Sequence, residues 1–292
     1  MALAPRLNAE ILCVDSMQIY RGMDIGTAKP TAGQRRRVPH HLIDIVEASE
    51  HFSAARFVKL ADAAITDIQS RSRRVLIVAG TPLYLMGLMY GLFDGPSADA
   101  SFRSELRDRA SKEGIAALHA ELAAVDPDAA ARIHPNDLKR IERGLEVYRL
   151  TGTPLSALQS QWAAGVMRYP AAVVGIRRDR AETSRRINAR VKQMIADGFV
   201  DEVRGLLAAP GGMGEQARQA LGYAEIIAHL EGGMSLDDAV ERIKIQTRRF
   251  AKHQRTWFRK FPAARWVDLA THPSCTDAAD RLWALATSTR AS

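Results

Sequence analysis

Asp15 and Ser16 come directly after an apolar run in the stretch EILCVDSMQIYRGMDIGTAKP. A short, continuous apolar run predicts a strand covered on both faces, and ligands of parallel α/β sheets bind outside the carboxyl ends of the strands. A carboxylate at that position can accept a proton from a nucleophile or hold a metal-bound water. The alternative is that Asp15 caps the turn that follows, and this fragment by itself favours the cap.

Two loops of the sequence could bind a phosphate. GMDIGTAKP offers backbone amides and the ammonium group of Lys29, while Gly80 and Thr81 follow a second strand-like run, RVLIVA. Gly80 and Thr81 would suit either a phosphate or the edge of a base. Glycine, threonine and Lys-Pro pairs are also common in ordinary turns, so neither loop is specific alone.

Apolar runs of strand length lie at 10–14, 74–80, 171–176 and 266–269, with helical patterns between them. Strands that alternate with helices predict an α/β fold with a parallel sheet. From about Asp99 to Tyr169 no strand signal occurs, which predicts an inserted helical subdomain. We therefore divide the chain into a first part of the core at 1–98, a helical insertion at 99–169, and a return of the core with C-terminal helices and a basic segment at 170–292.

The chain of 292 residues carries a formal net charge of +8 and only two cysteines, Cys13 and Cys275. So few cysteines favour a reducing, cytoplasmic compartment, and no apolar run approaches the roughly 18 residues of a membrane span. The basic balance suggests a polyanionic partner. The stretch TRRFAKHQRTWFRK at 247–260 mixes Phe250, Trp257 and Phe258 with its cations, which is typical of segments that contact phosphates and stack on unpaired bases.

The other polar groups of the sequence can be explained without a functional role. NDLKRIERGLEVY places Lys139, Arg140 and Arg143 on one predicted helix, where a basic face is either solvated or in contact with nucleic acid. His40, His41, His134 and His253 lack the spacing to a second ligand that metal binding requires. We predict no metal site built from side chains.

Taken together, the motifs resemble one family, the tRNA dimethylallyltransferases, also called isopentenyl transferases. The matching stretches keep one order and run nearly from end to end: DSMQIYRGMDIGTAKP, HHLIDI, AGTPLYL, DPDAAARIHPNDLKRIERGLEVYRLTGTPLS, RINARVKQMIADGFVDEV, ALGYAEI and TRRFAKHQRTWFR. The resemblance implies a phosphate-loop, nucleotide-kinase-like parallel sheet core of the ATP-binding type, with a helical insertion domain.

The resemblance also implies an activity. A member of this family transfers a dimethylallyl group from dimethylallyl diphosphate to N6 of the adenosine at position 37, beside the anticodon, in tRNAs that read codons beginning with uridine. The reaction needs Mg²⁺. The partners implied are the tRNA anticodon stem-loop and dimethylallyl diphosphate, with no membrane and no obligate protein partner, and the enzyme is expected to be a cytoplasmic monomer.

The resemblance assigns roles to particular residues. Asp15 is implied as the catalytic base, with Thr81 and Arg186 as further catalytic residues, and Lys29, Gly80 and Arg186 bind the diphosphate. The residues implied to contact tRNA are Asp15, Ser16, Met17, Gln18, Thr81, Arg103, Lys139, Arg140, Ile141, Glu142, Arg143, Gly222, Tyr223, Lys252, His253, Gln254, Arg255, Thr256, Trp257, Phe258 and Arg259.

One departure from the family pattern is large. The family opens with a strand and a loop of the type G-P-T-x-S-G-K-[ST], which cradles the diphosphate and binds Mg²⁺ through its hydroxyl. No G-x-x-x-x-G-K-[ST] occurs in this sequence. We expect the first strand and the loop to be missing because the start codon lies too far downstream, with a decayed paralogue or an incomplete sequence as alternatives. In-frame codons before Met1 should then encode the loop, and these 292 residues alone should show little transfer and poor solubility.

Three other functions stay open at this point. An adenylate isopentenyltransferase would use a free adenine nucleotide as acceptor, but it has no use for the basic, aromatic stretch at 247–260. A tRNA-binding protein without catalysis would keep Asp15 and the basic residues and lack the diphosphate cradle. A small-molecule kinase on the same core is disfavoured, since it depends still more on a phosphate loop.

Overall fold

The computed structural model describes residues 1–93, 95–96, 98–159, 165–261, 264–269 and 274–287, including all their side chains except those of Cys275 and Thr287. The chain forms two compact units. The first comprises Met1–Leu88 and Tyr169–Ser292, and the second comprises Met89–Arg168.

A parallel three-stranded sheet carries the first predicted motif. Its strands are β1 (Ala9–Val14), β2 (His40–His41) and β3 (Arg74–Ala79), in the order β2-β1-β3. β1 and β3 pair in register from Ala9 opposite Arg74 to Val14 opposite Ala79, so both strands end at the same edge. The predicted strands at 10–14 and 74–80 and their parallel arrangement are confirmed. β2 has two residues, which is too short to leave a pattern in the sequence.

The strands predicted at 171–176 and 266–269 form a second sheet. β4 (Val173–Arg177) and β5 (Ala264–Asp268) pair in parallel. Within the described ranges, β3 pairs only with β1 and β4 only with β5, so each has one open edge. β1 is buried on both faces as predicted, but Val78 in β3 and Ile176 in β4 have exposed fractions of 53% and 50%. Both lie on the wall of one cavity of about 410 Å³.

Helices make up most of the first unit. They are α1 (Leu3–Leu7), α2 (Ala32–Arg37), α3 (Ala54–Ser70), α10 (Arg180–Ala196), α11 (Phe199–Ala208), α12 (Glu215–Arg218), α13 (Tyr223–Leu230), α14 (Leu236–Phe258) and α15 (Cys275–Thr287), while α4 (Pro82–Tyr90) runs from the first unit into the second. Side chains placed before the first turn cap the long helices, because a hydroxyl or carboxylate accepts a free backbone amide there. Ser53 caps α3, Asp179 caps α10 and Ser235 caps α14.

The second unit contains five further helices in its described part: α5 (Ala100–Glu113), α6 (Ile115–Val125), α7 (Pro127–Arg132), α8 (Leu138–Thr151) and α9 (Leu155–Leu158). Its core consists of buried apolar side chains of α5, α6, α7 and α8, namely Phe102, Leu106, Leu118, Leu122, Ala130, Ile141 and Leu145. The pairs in α5, α6 and α8 are each four residues apart, which gives each of these three helices one apolar face. The insertion predicted at 99–169 overlaps this unit.

Across the described residues, every helix is too short or too polar to cross a membrane.

Candidate functional site

Asp15 lies at the carboxyl end of β1 and uses its two oxygens differently. Oδ1 accepts hydrogen bonds from the backbone amides of Met17 at 2.8 Å and Gln18 at 3.1 Å. Oδ2 points toward Gly80, where an added Cβ would lie 3.2 Å from it. Asp15 therefore caps the turn, as one interpretation of the sequence held, and still leaves one oxygen directed at the edge of the sheet.

Residues after β3 complete this edge. The hydroxyl of Thr81 accepts from the amide of Ser16 at 3.0 Å and lies 3.3 Å from the hydroxyl of Ser16. The amide of Gly80 donates to the carbonyl of Val14, and its own carbonyl accepts from Gln254 Nε2 at 2.6 Å. Asp15, Ser16, Gly80, Thr81 and Gln254 are thus brought together. Because both backbone groups of Gly80 already have partners, they are not available to bind a diphosphate, contrary to the role that the resemblance gave this residue.

The thiol of Cys13 lies two residues before Asp15 in β1. Burial, and to a lesser extent the charge of Asp15, raises the pKa of Cys13 to about 12. Cys13 is therefore a buried, neutral core side chain and not a nucleophile at neutral pH.

The cavity between the open edges of β3 and β4 adjoins this group through Ala79 and Gln254. Its wall is mainly apolar, and its polar side chains are Arg178, Thr183, Gln254 and Arg255. Nη1 of Arg178 is buried without a hydrogen-bond partner among the described residues. An apolar cavity with two guanidinium groups on its wall can accept a small apolar group that carries an anion. Asp15 itself is not one of the wall residues that the structure describes.

Lys29 occupies a different environment from the one predicted. Its side chain is 1% exposed, and its ammonium donates to the carboxylates of Asp24 at 2.6 Å and Asp44 at 2.5 Å and to the carbonyl of Tyr20 at 2.8 Å. Although burial alone would raise the pKa of Asp44, hydrogen bonds from Lys29 and Arg35 hold it below its usual value. With its charge compensated inside the protein, Lys29 is a structural residue and is not available to a diphosphate.

Gly222 and Tyr223 are also structural in this fold. Gly222 has a φ of +90° and precedes α13, and an added Cβ would lie 3.2 Å from the ring of Phe199. The side chain of Tyr223 is fully buried and donates to Glu202 Oε1 at 2.6 Å. Burial, followed by the nearby charge of Glu202, raises the pKa of Tyr223. Tyr223 thus supports the fold through Glu202, and its expected contact with tRNA stays a prediction.

The end of α14 has two faces. Gln254, Arg255 and Phe258 lie on the cavity wall, whereas the exposed side chains of this segment are those of Lys252, His253, Thr256 and Arg259. Trp257 is half-buried, and Nζ of Lys260 lies 5.1 Å from the centre of its ring. The basic, aromatic stretch is thus one helix with a cationic outer face.

Arg186 on α10 is half-exposed and donates through Nε to Glu182 Oε1 at 2.7 Å. Arg185 binds the other oxygen of Glu182, whose side chain is 3% exposed. The buried carboxylate thus holds two arginines at the surface of α10.

The residues predicted on α8 divide between the surface and the interior. Lys139 and Arg140 are exposed, but Ile141 belongs to the apolar core and Glu142 is buried and paired with Arg107. The 3.6-residue period of the helix turns the side chains of Ile141 and Glu142 inward, and the expected contact of these two residues with tRNA stays a prediction.

Arg103 and Arg143 converge on Glu146, whose side chain has no exposed surface. Arg103 binds both carboxylate oxygens at 2.8 Å, and Arg143 Nη1 donates to Oε2 at 2.5 Å. Each arginine side chain keeps 30% of its surface exposed, so each combines a structural ion pair with a partly open guanidinium.

Three residues of the structure were not predicted from the sequence: Glu202, Arg178 and Glu146. Glu202 lies within a stretch that carried the resemblance, RINARVKQMIADGFVDEV, but only Arg186 received a role there. A lone acidic residue on an amphipathic helix gives no sign of what it binds, since its partners lie far away along the chain.

The described residues contain no group of three or more His, Cys, Asp or Glu side chains that could hold a metal ion. At the sheet edge, Asp15 is accompanied by the hydroxyls of Ser16 and Thr81, and Oδ1 of Asp15 is already bound to two amides. Mg²⁺ is usually bound through one or two carboxylates together with substrate phosphates and waters. These side chains do not make up a magnesium site by themselves.

Comparison with known proteins decides the family. The family model described as IPP transferase matches residues 18–261. The chain belongs to the IPP transferase family.

Relatives within the IPP transferase family are similar over most of their length. The chain is 51% identical to a tRNA dimethylallyltransferase of Geobacter metallireducens, over 92% of this chain and 87% of the relative. It is 46% identical to a tRNA dimethylallyltransferase of Geobacillus thermodenitrificans, over 92% of this chain and 85% of the relative.

Solved structures of the IPP transferase family have the same fold. The full-length tRNA isopentenylpyrophosphate transferase of Bacillus halodurans is 38% identical with a TM-score of 0.68, and the match covers 98% of this chain and 91% of that one. A eukaryotic dimethylallyltransferase acting on tRNA is 28% identical with a TM-score of 0.78, covering 98% and 74% of the two chains. The predicted α/β fold class is confirmed.

Proposed function

We propose that this IPP transferase family member moves a dimethylallyl group from dimethylallyl diphosphate to N6 of the adenosine at position 37, next to the anticodon, in tRNAs that read codons beginning with uridine. Family membership supports the transferase activity and tRNA as substrate. The observation that carries the chemistry is the Oδ2 atom of Asp15, which faces the carboxyl edge of the sheet while Oδ1 is held by the turn.

An adenine amine is a poor nucleophile because its lone pair is conjugated into the ring. In the proposed reaction, N6 forms a bond to the first carbon of the dimethylallyl group while the bond from that carbon to the diphosphate oxygen breaks. The N6 proton passes to Asp15, and the electron pair of the broken bond leaves with the diphosphate. General-base assistance of this kind contributes roughly 10²–10⁴ in rate.

The target base has to leave the stack of the anticodon loop to reach the sheet edge, as for other enzymes that modify a base. The backbone and side chains at 15–18 and Thr81 are proposed to contact it, since they surround Asp15. The exposed basic residues at the end of α14, Lys252 and Arg259, are proposed to contact the phosphates of the stem-loop, together with the exposed Lys139 and Arg140 and the partly exposed Arg103 and Arg143.

The diphosphate is proposed to bind at the cationic part of the cavity. Arg178 and Arg255 lie on its wall, and Nη1 of Arg178 is a buried donor without a partner. Arg186 stays a candidate from the resemblance, and its guanidinium is half-exposed. Because neither Gly80 nor Lys29 offers a free donor, we leave both out of the proposed diphosphate site.

We also propose that transfer requires Mg²⁺, which would neutralise charge on the leaving diphosphate. A chelator should then abolish transfer, and added Mg²⁺ should restore it. A cytoplasmic location and a monomeric state are proposed with it, and size-exclusion chromatography with light scattering tests the second.

The function is tested by incubating the chain with dimethylallyl diphosphate and Mg²⁺, using either unmodified tRNA or AMP as acceptor. Nucleosides from each reaction are analysed by mass spectrometry, with a known tRNA dimethylallyltransferase as positive control. We expect N6-dimethylallyl adenosine in tRNA and none from AMP.

Prenylated AMP without prenylated tRNA would establish the adenylate transferase alternative instead. Binding of tRNA without any transfer would establish a tRNA-binding protein that is not an enzyme.

A further inference from the structure

The carboxylate of Glu202 on α11 accepts hydrogen bonds from three consecutive backbone amides. Its Oε2 accepts from the amides of Asp24 at 3.0 Å and Ile25 at 2.6 Å, and its Oε1 accepts from the amide of Gly26 at 3.2 Å and from the hydroxyl of Tyr223. Consecutive amides that converge on one point form an anion-binding concavity. In this loop the anion is the protein's own carboxylate.

The loop that Glu202 holds is closely packed. An added Cβ on Gly26 would lie 2.3 Å from the ring of Phe199 and 2.5 Å from the ring of Tyr223, so this position admits only glycine. The hydroxyl of Thr27 donates to the carbonyl of Met23 at 2.6 Å. At the far end of the loop, the buried ammonium of Lys29 donates to Asp24.

The same loop supports the residue next to the proposed base. Nε2 of Gln18 donates to the carbonyl of Thr27 at 3.2 Å, and the amide of Gln18 donates to Asp15 Oδ1. Gln18 is therefore held by the loop through its side chain and by Asp15 through its backbone amide. A shift of the amides at 24–26 moves the carbonyl that orients Gln18.

We infer that Glu202 is a positioning residue for the acceptor adenosine: it fixes the loop at 24–27, and through Thr27 it orients Gln18 beside Asp15. The inference rests on the proposed function and assigns a role to the tyrosine of ALGYAEI, which supports Glu202 from α13. Gln18 is hydrogen-bonded to Thr27, Asp15 and the amide of Asp44, and none of these residues lies on the cavity wall proposed for the diphosphate. Glu202 therefore acts on the nucleotide acceptor and not on the prenyl donor.

The test compares Glu202→Gln with the neighbouring control Asp201→Asn. Glutamine is nearly the same size, but one of its terminal atoms is a donor that faces backbone amides, whereas Asp201 is exposed and pairs only with Arg204 in the described contacts. Steady-state transfer is measured for both substrates, and the dissociation constant for tRNA is measured separately. Glu202→Gln should raise the KM and the dissociation constant for tRNA by about tenfold or more, because small displacements at a site are costly. The KM for dimethylallyl diphosphate should stay within about twofold.

Tyr223→Phe provides a milder second variant, since it removes one donor and keeps the ring against Gly26. It should raise the KM and the dissociation constant for tRNA by less than Glu202→Gln does. Its melting temperature should stay close to that of the parent chain. Unchanged tRNA values in Glu202→Gln would overturn the inference, and so would equal losses for both substrates, which indicate a merely structural role. Failure of the parent chain to transfer would count against the proposed function, whereas the tRNA dissociation constants test Glu202 independently of turnover.

Discussion

At the scale of single residues, Asp15 reconciles two interpretations that the sequence left in competition. A cap needs an acceptor for the amides of Met17 and Gln18, and Oδ1 supplies it. A general base needs an oxygen directed at the substrate, and Oδ2 faces Gly80 and the sheet edge. Substitutions that remove one property at a time can therefore separate the two roles.

Asp15→Asn is expected to lower the transfer rate by roughly 10²–10⁴ while leaving tRNA affinity nearly unchanged. Asparagine keeps an oxygen that can accept both amides, but it is not a base at neutral pH. The measurements are single-turnover transfer and the dissociation constant for tRNA.

Asp15→Ala removes the cap as well as the base, and it should abolish transfer with little change in tRNA affinity. If tRNA binding collapses in the alanine variant and survives in the asparagine variant, Oδ1 and the turn are what tRNA binding depends on. Normal transfer by Asp15→Asn would exclude Asp15 as the base.

At the scale of elements, α14 combines a wall of the cavity with an exposed basic surface on its last two turns. Lys252 and Arg259 are exposed at that end, whereas Arg242 is exposed near the start of the same helix. Proteins that neutralise phosphates release counterions, so affinity falls with salt concentration in proportion to the number of such contacts.

The double variant Lys252→Ala and Arg259→Ala should weaken tRNA binding and reduce the slope of log affinity against log salt by roughly 1.5, since each lost phosphate contact contributes about 0.7 to 0.9. Arg242→Ala is the matched control and should leave the slope unchanged. Equal slopes for the parent chain and the double variant would show that this end of α14 does not contact the phosphates.

Within the second unit, the carboxylate of Glu146 on α8 links this helix to α5 through hydrogen bonds. Burial by itself would raise its pKa, but hydrogen bonds from Arg103, Arg143 and the amide of Asp99 outweigh burial and hold the pKa below its usual value. A carboxyl group with a lowered pKa in the folded state adds stability above its ordinary pKa, near 4.3, and that stability is lost as the pH falls through the folded value.

Glu146→Gln should lower the free energy of unfolding of the full chain by about 2 kcal/mol at pH 7, less than for a fully buried pair because both arginines are 30% exposed. The difference from the parent chain should shrink as the pH falls below about 4, because the parent carboxylate then becomes protonated. Urea unfolding at pH 7 and in acid measures the free energy of unfolding of the parent chain and of the variant. If the difference between the two proteins did not change with pH, it would contradict the ion-pair explanation.

At the scale of the whole molecule, the sequence predicted the strands that have long apolar runs and the motif residues that sit at their ends. Asp15, Ser16 and Thr81 could be placed together because parallel strands end at a common edge. Lys29 and Ile141 could not be placed correctly, since their partners come from packing: Asp44 pairs with Lys29, and the second unit's core surrounds Ile141. A two-residue strand such as β2 leaves no periodic signal at all.

The open edges of β3 and β4 expose apolar side chains to a common cavity, which favours aggregation. Val78→Thr combined with Ile176→Thr should reduce binding of a hydrophobic dye and slow aggregation. Because both side chains are about half-exposed, the free energy of unfolding should change by no more than about 0.5 kcal/mol.

Val14→Thr is the control for that pair, since Val14 is fully buried in β1. Val14→Thr should lower the free energy of unfolding by about 1–3 kcal/mol, because a hydroxyl then enters an apolar core. A large loss of stability in the Val78 and Ile176 double variant would show that these side chains are covered in solution.

The carboxylate of Glu202 is hydrogen-bonded to the amides at 24–26 in the absence of substrate. The loop at 24–26 is therefore preorganised, and binding of the proposed acceptor nucleotide beside it should incur little entropic penalty for ordering the loop. Crystals of the free and the RNA-bound protein should superimpose in this segment, and its amide protons should exchange slowly in the absence of RNA.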